Sequence, residues 1–206
     1  MEEVLDVYKL AYDPEFPVVC MDESTKQLTK EVTEPIAMTQ NHPELVDHEY
    51  ERNGVATIFA EVEPLGGRRH IKITERRTSE DWAEFIGEML DERYPDAKKV
   101  HLVLDNLNTH RIASLYKAFP AEEAKRLADR LELHFVPVHG SWLNICEIEL
   151  SVLNRQCLNR RIENMETITS EVKKWQEHRN NKKANIDWQF TNEEARIKLK
   201  RLYPKF

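Results

Sequence analysis

Two short apolar runs each end on an acid, and this constrains the chain more than any other feature. Val100-His101-Leu102-Val103-Leu104 stops at Asp105, and Pro17-Val18-Val19-Cys20-Met21 stops at Asp22. Runs this short, apolar at consecutive positions and bounded by turn residues, predict strands buried on both faces. A sheet holding such strands needs helices on its faces, so the expected class is α/β. Run parallel as neighbours, the two strands set Asp22 and Asp105 side by side at their carboxyl ends, where ligand sites form in sheets of this kind.

The rest of the pattern supplies the partners. Residues 2–11 predict a short helix, and Asp13-Pro14 breaks it ahead of the first strand. Residues 24–50 are polar and irregular and read as a loop or insertion. Val55–Val62 and Arg69–Thr74 alternate about Gly66-Gly67, the pattern of a β-hairpin. Ser79 is the expected cap of a helix over 80–93, whose apolar face carries Trp82, Phe85, Ile86, Met89 and Leu90. Helices at 112–118 and 121–130 lead to a strand over 131–137. Ser141 is then expected to cap a helix over 142–158, followed by helices at 165–181 and 192–202. The outcome is a mixed five-stranded sheet: an antiparallel three-strand meander, then two strands parallel to the first.

Ser141-Trp142-Leu143-Asn144-Ile145-Cys146-Glu147 opens the helix that can cross the strand ends, with Glu147 in its first turn. Each acid alone has an ordinary reading: a turn or cap residue for Asp22 and Asp105, a first-turn helix acid for Glu147. Together, gathered within a few ångströms of one point, they are an all-oxygen donor set of the kind Mg²⁺ or Mn²⁺ prefers. Such a cage can serve phosphodiester chemistry through two ions about 4 Å apart. Without metal the three charges repel, so weak metal binding is expected until DNA phosphate adds oxygen ligands. Glu23 and Glu149 point elsewhere by strand and helix periodicity and are expected behind the cage or at the surface.

Charge bears on the partner. The net charge is −7, yet residues 151–206 hold 13 Lys and Arg against 7 Asp and Glu. The basic C-terminal quarter suits either a solvated helical surface or contact with a polyanion. Arg155, Arg160, Arg161, Lys173, Lys174, Lys182 and Lys183 are the candidate DNA-backbone contacts, with Arg179, Lys198, Lys200, Arg201 and the hairpin's Arg68-Arg69 as further ones. The acidic start, Met1-Glu2-Glu3, is not a signal sequence, and no apolar stretch is long enough to span a bilayer. Cys20, Cys146 and Cys157 have neither paired nor metal-ligand spacing, which points to a reducing cytosol and away from a disulfide framework or zinc site.

The flanks of the acids carry a family resemblance. Leu102-Val103-Leu104-Asp105-Asn106-Leu107-Asn108-Thr109-His110 resembles the second-aspartate motif of insertion-sequence transposases in the mariner superfamily. Ser141 to Glu147, with Leu-Asn preceding the glutamate, is similar to their third-acid motif, and Val19-Cys20-Met21-Asp22-Glu23 to their first-aspartate strand. The resemblance implies a DDE catalytic domain of RNase H-like, integrase-like fold. Asp22, Asp105 and Glu147 then take the catalytic and metal positions, with Mg²⁺ or Mn²⁺ bound as two ions when DNA is present. It further implies cleavage at transposon ends, joining of 3′-hydroxyls to target DNA at TA dinucleotides, and a homodimer on double-stranded DNA in the cytoplasm or nucleoid. A nuclease of the same fold that cannot join strands, or an inactive DNA-binding derivative, are the alternatives. Forty-one residues separate Asp105 from Glu147, more than is usual in mariner relatives, and the excess is expected in the 115–131 helical segment.

On this reading residues 1–160 form the catalytic core and 161–206 a basic helical extension of it. No helix-turn-helix pattern precedes Asp22, so the catalytic half is expected alone, with its DNA-binding partner segment absent or separate. Asn106 and Asn144 can orient water, metal or phosphate, or can cap local turns. His110 can meet DNA phosphate, shuttle a proton or pack, and His139 has the same range. Trp142 can stack on a base or pack on the sheet.

Overall fold

A computed structural model describes residues 1–43, 45, 47–138 and 140–203. Among these residues five strands form one sheet, β1 (Val18–Glu31), β2 (Tyr50–Glu63), β3 (Arg68–Thr74), β4 (Val100–Leu104) and β5 (Leu131–Phe135), in the order β3-β2-β1-β4-β5. β1, β2 and β3 pair antiparallel, and β4 and β5 run parallel to β1. The expected meander and parallel pair are both present. Gly67, at φ +63°, supplies the left-handed residue that turns β2 into β3.

Among the described residues seven α-helices accompany the sheet: α1 (Glu2–Tyr8), α2 (Ser79–Glu88), α3 (Ile112–Ala118), α4 (Ala121–Asp129), α5 (Ile145–Leu153), α6 (Met165–Asn181) and α7 (Asn192–Lys198). On one face, Trp82, Phe85 and Ile86 of α2 with Met89 and Leu90 pack on Val19, Met21, Leu102 and Leu104. Burying side chains of this size stabilises by about 1.5–3 kcal/mol each. The other face brings Cys20 and Val103 against α1, Ile145 and Cys146 of α5, and Ala195 of α7. Val19 and Met21 thus face one layer and Cys20 the other, the two-sided burial that a continuous apolar run predicts.

Four local expectations need correction. Residues 24–31 are strand, not loop: β1 continues to Glu31, which pairs with Tyr50. The end of this two-stranded ribbon is largely solvent-exposed, with only Leu28 buried among α6 residues, so almost no apolar signal marks it. Thr78, not Ser79, caps α2, in a reciprocal box with Asp81. That helix ends as a π turn, Met89–Arg93, and α5 likewise runs into a π turn, Asn154–Leu158. Ser141–Leu143 is a separate 3-10 turn, and Asn144 caps α5.

Candidate active site

The β1–β4 register sets the first two acids. Cys20 pairs with Val103, so two residues on, Asp22 stands level with Asp105. By strand alternation Asp22 lies on the α5 side with Cys20. Asp22 is 8% exposed, and its Oδ1 accepts the Glu23 N–H at 2.8 Å. Asp105, the first residue past β4, accepts the Leu107 N–H at 3.2 Å, an aspartate turn that ends the strand.

Asn144 brings in the third acid. Its Oδ1 accepts the Cys146 N–H at 3.1 Å, capping α5, while its Nδ2 donates to the Met21 carbonyl at 2.8 Å. One fully buried side chain therefore pins the start of α5 to the strand residue before Asp22. Cys146 Sγ reinforces this by contacting the carbonyl of Ala60, the β2 partner of Asp22. Glu147 sits three residues past the cap, where a glutamate can bond back to the capping N–H. Here that N–H goes to the Ser141 carbonyl at 2.7 Å, and the cap does not consume the carboxylate.

The three acids share one electrostatic environment. Burial pushes the Asp22 carboxyl up to about 7 against the Glu23 N–H, and the charges of Asp105, Glu147 and Glu23 add to the rise. Asp105 goes the other way. Burial raises it, but His110 Nδ1, 2.6 Å from its Oδ1, outweighs that and holds it below the usual range. The donor set, carboxylate oxygen only at a strand end, fits a hard divalent cation. Its oxygens are more open than a closed cage: among the described residues, the three groups whose ligand atoms all lie within 4.8 Å are His101, Glu132 and His134.

His110 is fully buried, against Trp82 at 5.7 Å between ring centroids, and its Nε2 lies 3.0 Å from Glu23 Oε1. Burial alone would lower its pKa, but the two carboxylates raise it to about 9. It is a buried cation joining Asp105 to Glu23. Glu23 is thus no surface acid, and Arg77, 3.9 Å from its Oε2, completes the row. Neither Glu23 nor Arg77 carried a sequence signal for this, because each meets a partner far away in sequence, His110 lying 87 positions from Glu23. Asn106 donates Nδ2 to the Val136 carbonyl, tying the β4 end to the segment after β5. His139 lies outside the described residues. Trp142 is 40% exposed, edge-on to Phe190, rather than in the core.

The basic candidates divide. Arg155, Lys173, Lys182 and Lys183 are exposed on or beyond α5 and α6. Arg160 and Lys174 are exposed but face Glu171, at 2.7 and 3.8 Å. Arg161 is spent internally on Glu31, the carbonyls of His48 and Glu49, and the Tyr50 ring. Arg69 is not a DNA-facing group either. It is buried beside Glu149, at 3.1 Å, and Arg179 grips the same carboxylate at 2.5 and 2.9 Å. Arg68 pairs with Glu63 at 2.8 Å. Glu149 is accordingly a buried structural acid fastening α5 to β3 and α6. Among the described residues no helix is long and apolar enough to cross a membrane.

The strand order, with β4 and β5 parallel to β1 and helices on both faces, is that of the RNase H-like fold. Residues 17–169 match the DDE superfamily endonuclease family, and the chain belongs to that family. Its structure is similar to the Mos1 mariner paired-end complex with Mn, at TM-score 0.57 and 14% identity, over 89% of this chain and 54% of that one. It is also similar to the Mos1 strand transfer complex, at 0.55 and 11%, over 89% and 58%, and to a pre-cleavage Mos1 transpososome, at 0.50 and 13%, over 93% and 61%. At these identities the likeness is one of fold, and the chain spans less than two thirds of the Mos1 chains. No curated protein matches the sequence significantly.

Proposed function

We propose that the chain is the catalytic domain of a DNA transposase, cutting transposon-end phosphodiesters and joining the freed 3′-hydroxyls to target DNA. The observation that carries this reading is the β1–β4 register that sets Asp22 level with Asp105, together with Asn144, which pins the start of α5 and so Glu147 to the residue before Asp22. Family membership supports the endonuclease chemistry. The Mos1 complexes, described as paired-end and strand transfer assemblies, support double-stranded DNA as partner and strand joining as the second step.

Asp22, Asp105 and Glu147 would hold Mg²⁺ or Mn²⁺. Two bound ions supply activation of a water or 3′-hydroxyl and stabilisation of the leaving oxygen. The chain's own residues prepare that site. His110 keeps Asp105 ionised and oriented, and Asn144 holds Glu147 over the β1 end. Asp22, pushed up to about 7, must be deprotonated to ligate a cation, so affinity rises with pH. Arg77, half-exposed beside Glu23, is a phosphate contact at the mouth of the site. Arg155, Lys173, Lys174, Lys182 and Lys183, with Arg160 after leaving Glu171, are the further proposed phosphate contacts. The proposed boundaries remain 1–160 for the core and 161–206 for its basic extension, acting as a homodimer with a separate end-recognising segment.

The test is nicking of supercoiled DNA in Mn²⁺ by wild type and Asp105→Ala, followed by joining of a pre-cut 3′-hydroxyl end. The proposal expects cleavage and joining by wild type alone. Equal nicking by both proteins removes the catalytic assignment, while cleavage without joining leaves a nuclease.

A further inference from the structure

β4 and β5 carry a second cluster of ligating side chains, well away from Asp105. His101 pairs in register with Glu132, and Val103 with His134, so His101, Glu132 and His134 share the sheet face that Val103 turns toward α1. Nδ1 of His101 lies 3.1 Å from Nε2 of His134, and each nitrogen is 3.8 Å from a Glu132 oxygen. The ligand atoms of all three lie within 4.8 Å of one another.

We propose that His101, Glu132 and His134 form a binding site for a divalent transition ion of the Zn²⁺ class. A tetrahedral ion with bonds of about 2.0–2.1 Å sets its nitrogen ligands about 3.3 Å apart, close to the separation present. Glu132 has to close by about half an ångström to reach the same distance. At 47% exposure its side chain is free to do so. Two imidazoles and a carboxylate favour Zn²⁺, Co²⁺ or Ni²⁺ over Mg²⁺, whereas the three acids at the other end of β4 favour the reverse.

The surroundings are built for it. Glu3 Oε1 lies 3.1 Å from His134 Nδ1, the carboxylate–histidine arrangement that fixes a ligand's tautomer. With its proton on Nδ1, His134 presents the Nε2 lone pair toward His101. The His101 Nδ1 proton then points at that lone pair. Ion binding moves it to the ring's other nitrogen, a tautomer change with no net loss of protons. Packing explains two rings stacked at 5.4 Å. It does not explain one carboxylate placed against both facing nitrogens and a second orienting the ring behind them. His101 is four residues before Asp105, about 13 Å along a strand, so the two sites hold separate ions. An ion here clips β4 to β5 and, through Glu3, to α1.

The experiment titrates the intact chain with Co²⁺, read by its visible ligand-field bands, and with Zn²⁺ in competition, together with thermal melting in Zn²⁺. One equivalent is expected to bind and to raise Tm. Asp105→Asn leaves binding unchanged, His101→Gln and Glu132→Gln weaken it about 100-fold or more, and Glu3→Gln weakens it about tenfold. Circular dichroism of the metal-free variants checks that each folds, and the exposed Glu132→Gln guards against a misfolded His101→Gln. Wild-type affinity in both His101→Gln and Glu132→Gln, or loss of the site in Asp105→Asn, overturns the assignment.

Discussion

His110 stands between two acids, its Nδ1 2.6 Å from Asp105 and its Nε2 3.0 Å from Glu23, with no exposure of its own. This makes Asp105 part of a buried ion row rather than an isolated strand-end acid. A charged group in such a row is costly to remove, because its partners are left desolvated and unpaired.

His110→Ala should therefore destabilise the fold by about 3–5 kcal/mol. His110→Gln, which can still donate one hydrogen bond, should lose less. Urea denaturation at neutral pH measures both, and a change under about 1 kcal/mol for the alanine variant would mean that the row is not an ionic unit.

The same histidine sets an alkaline limit. Its pKa is about 9 folded against 6.5 ordinarily, so the folded state binds the proton more tightly. Its contribution is complete below pH 6.5 and is lost as pH rises through about 9, up to about 3 kcal/mol. His70 works at the acid side: burial pushes it down to about 4, so stability falls as pH drops from 6.5 toward 4. Asp22, raised to about 7, acts against His70 between pH 4 and 7, so each histidine's share is read as the difference between wild-type and variant melting curves across pH. His110→Gln should flatten the alkaline limb and His70→Phe the acid limb.

Glu149 tests the distinction between the two acids on α5. Glu149→Ala strands buried Arg69 and unfastens Arg179, and should cost about 3–5 kcal/mol. Glu147→Ala should leave stability within about 1 kcal/mol or increase it, since it relieves repulsion. Paired denaturation curves decide it; similar losses from both would contradict the separation of roles.

Asp22 reports the proximity of the other acids without any metal. Its carboxyl resonance should titrate near pH 7 in the metal-free protein, and Glu147→Gln should lower that midpoint. Carbon-detected NMR on labelled protein gives the value directly. A midpoint that Glu147→Gln leaves unmoved would separate the two side chains.

The parts of this structure that reading the chain could reach are those marked by apolar content. The runs before Asp22 and Asp105 had one consistent reading as doubly buried strands, and the glycine pair after Leu65 announced a hairpin. The polar ribbon at 24–31 had none, because a strand facing water on both sides looks like a loop except at Leu28. Asn144 and Ser141 were equally good caps by residue type; the bond to the Met21 carbonyl, 123 positions away, decides between them. The pairing of Glu23 with His110 and the meeting of His101, Glu132 and His134 depend on packing and on the β4–β5 register. No local spacing encodes either.

Anomalous diffraction from crystals soaked in Mn²⁺ shows whether Asp22, Asp105 and Glu147 hold a metal. Mn²⁺ is expected on carboxylate oxygens of Asp22 and Asp105, with Glu147 facing it, and that peak is expected to vanish in Asp105→Asn. Mn²⁺ bound elsewhere on the chain, with the Asp22 and Asp105 carboxylates bare in an undistorted structure, would contradict that assignment.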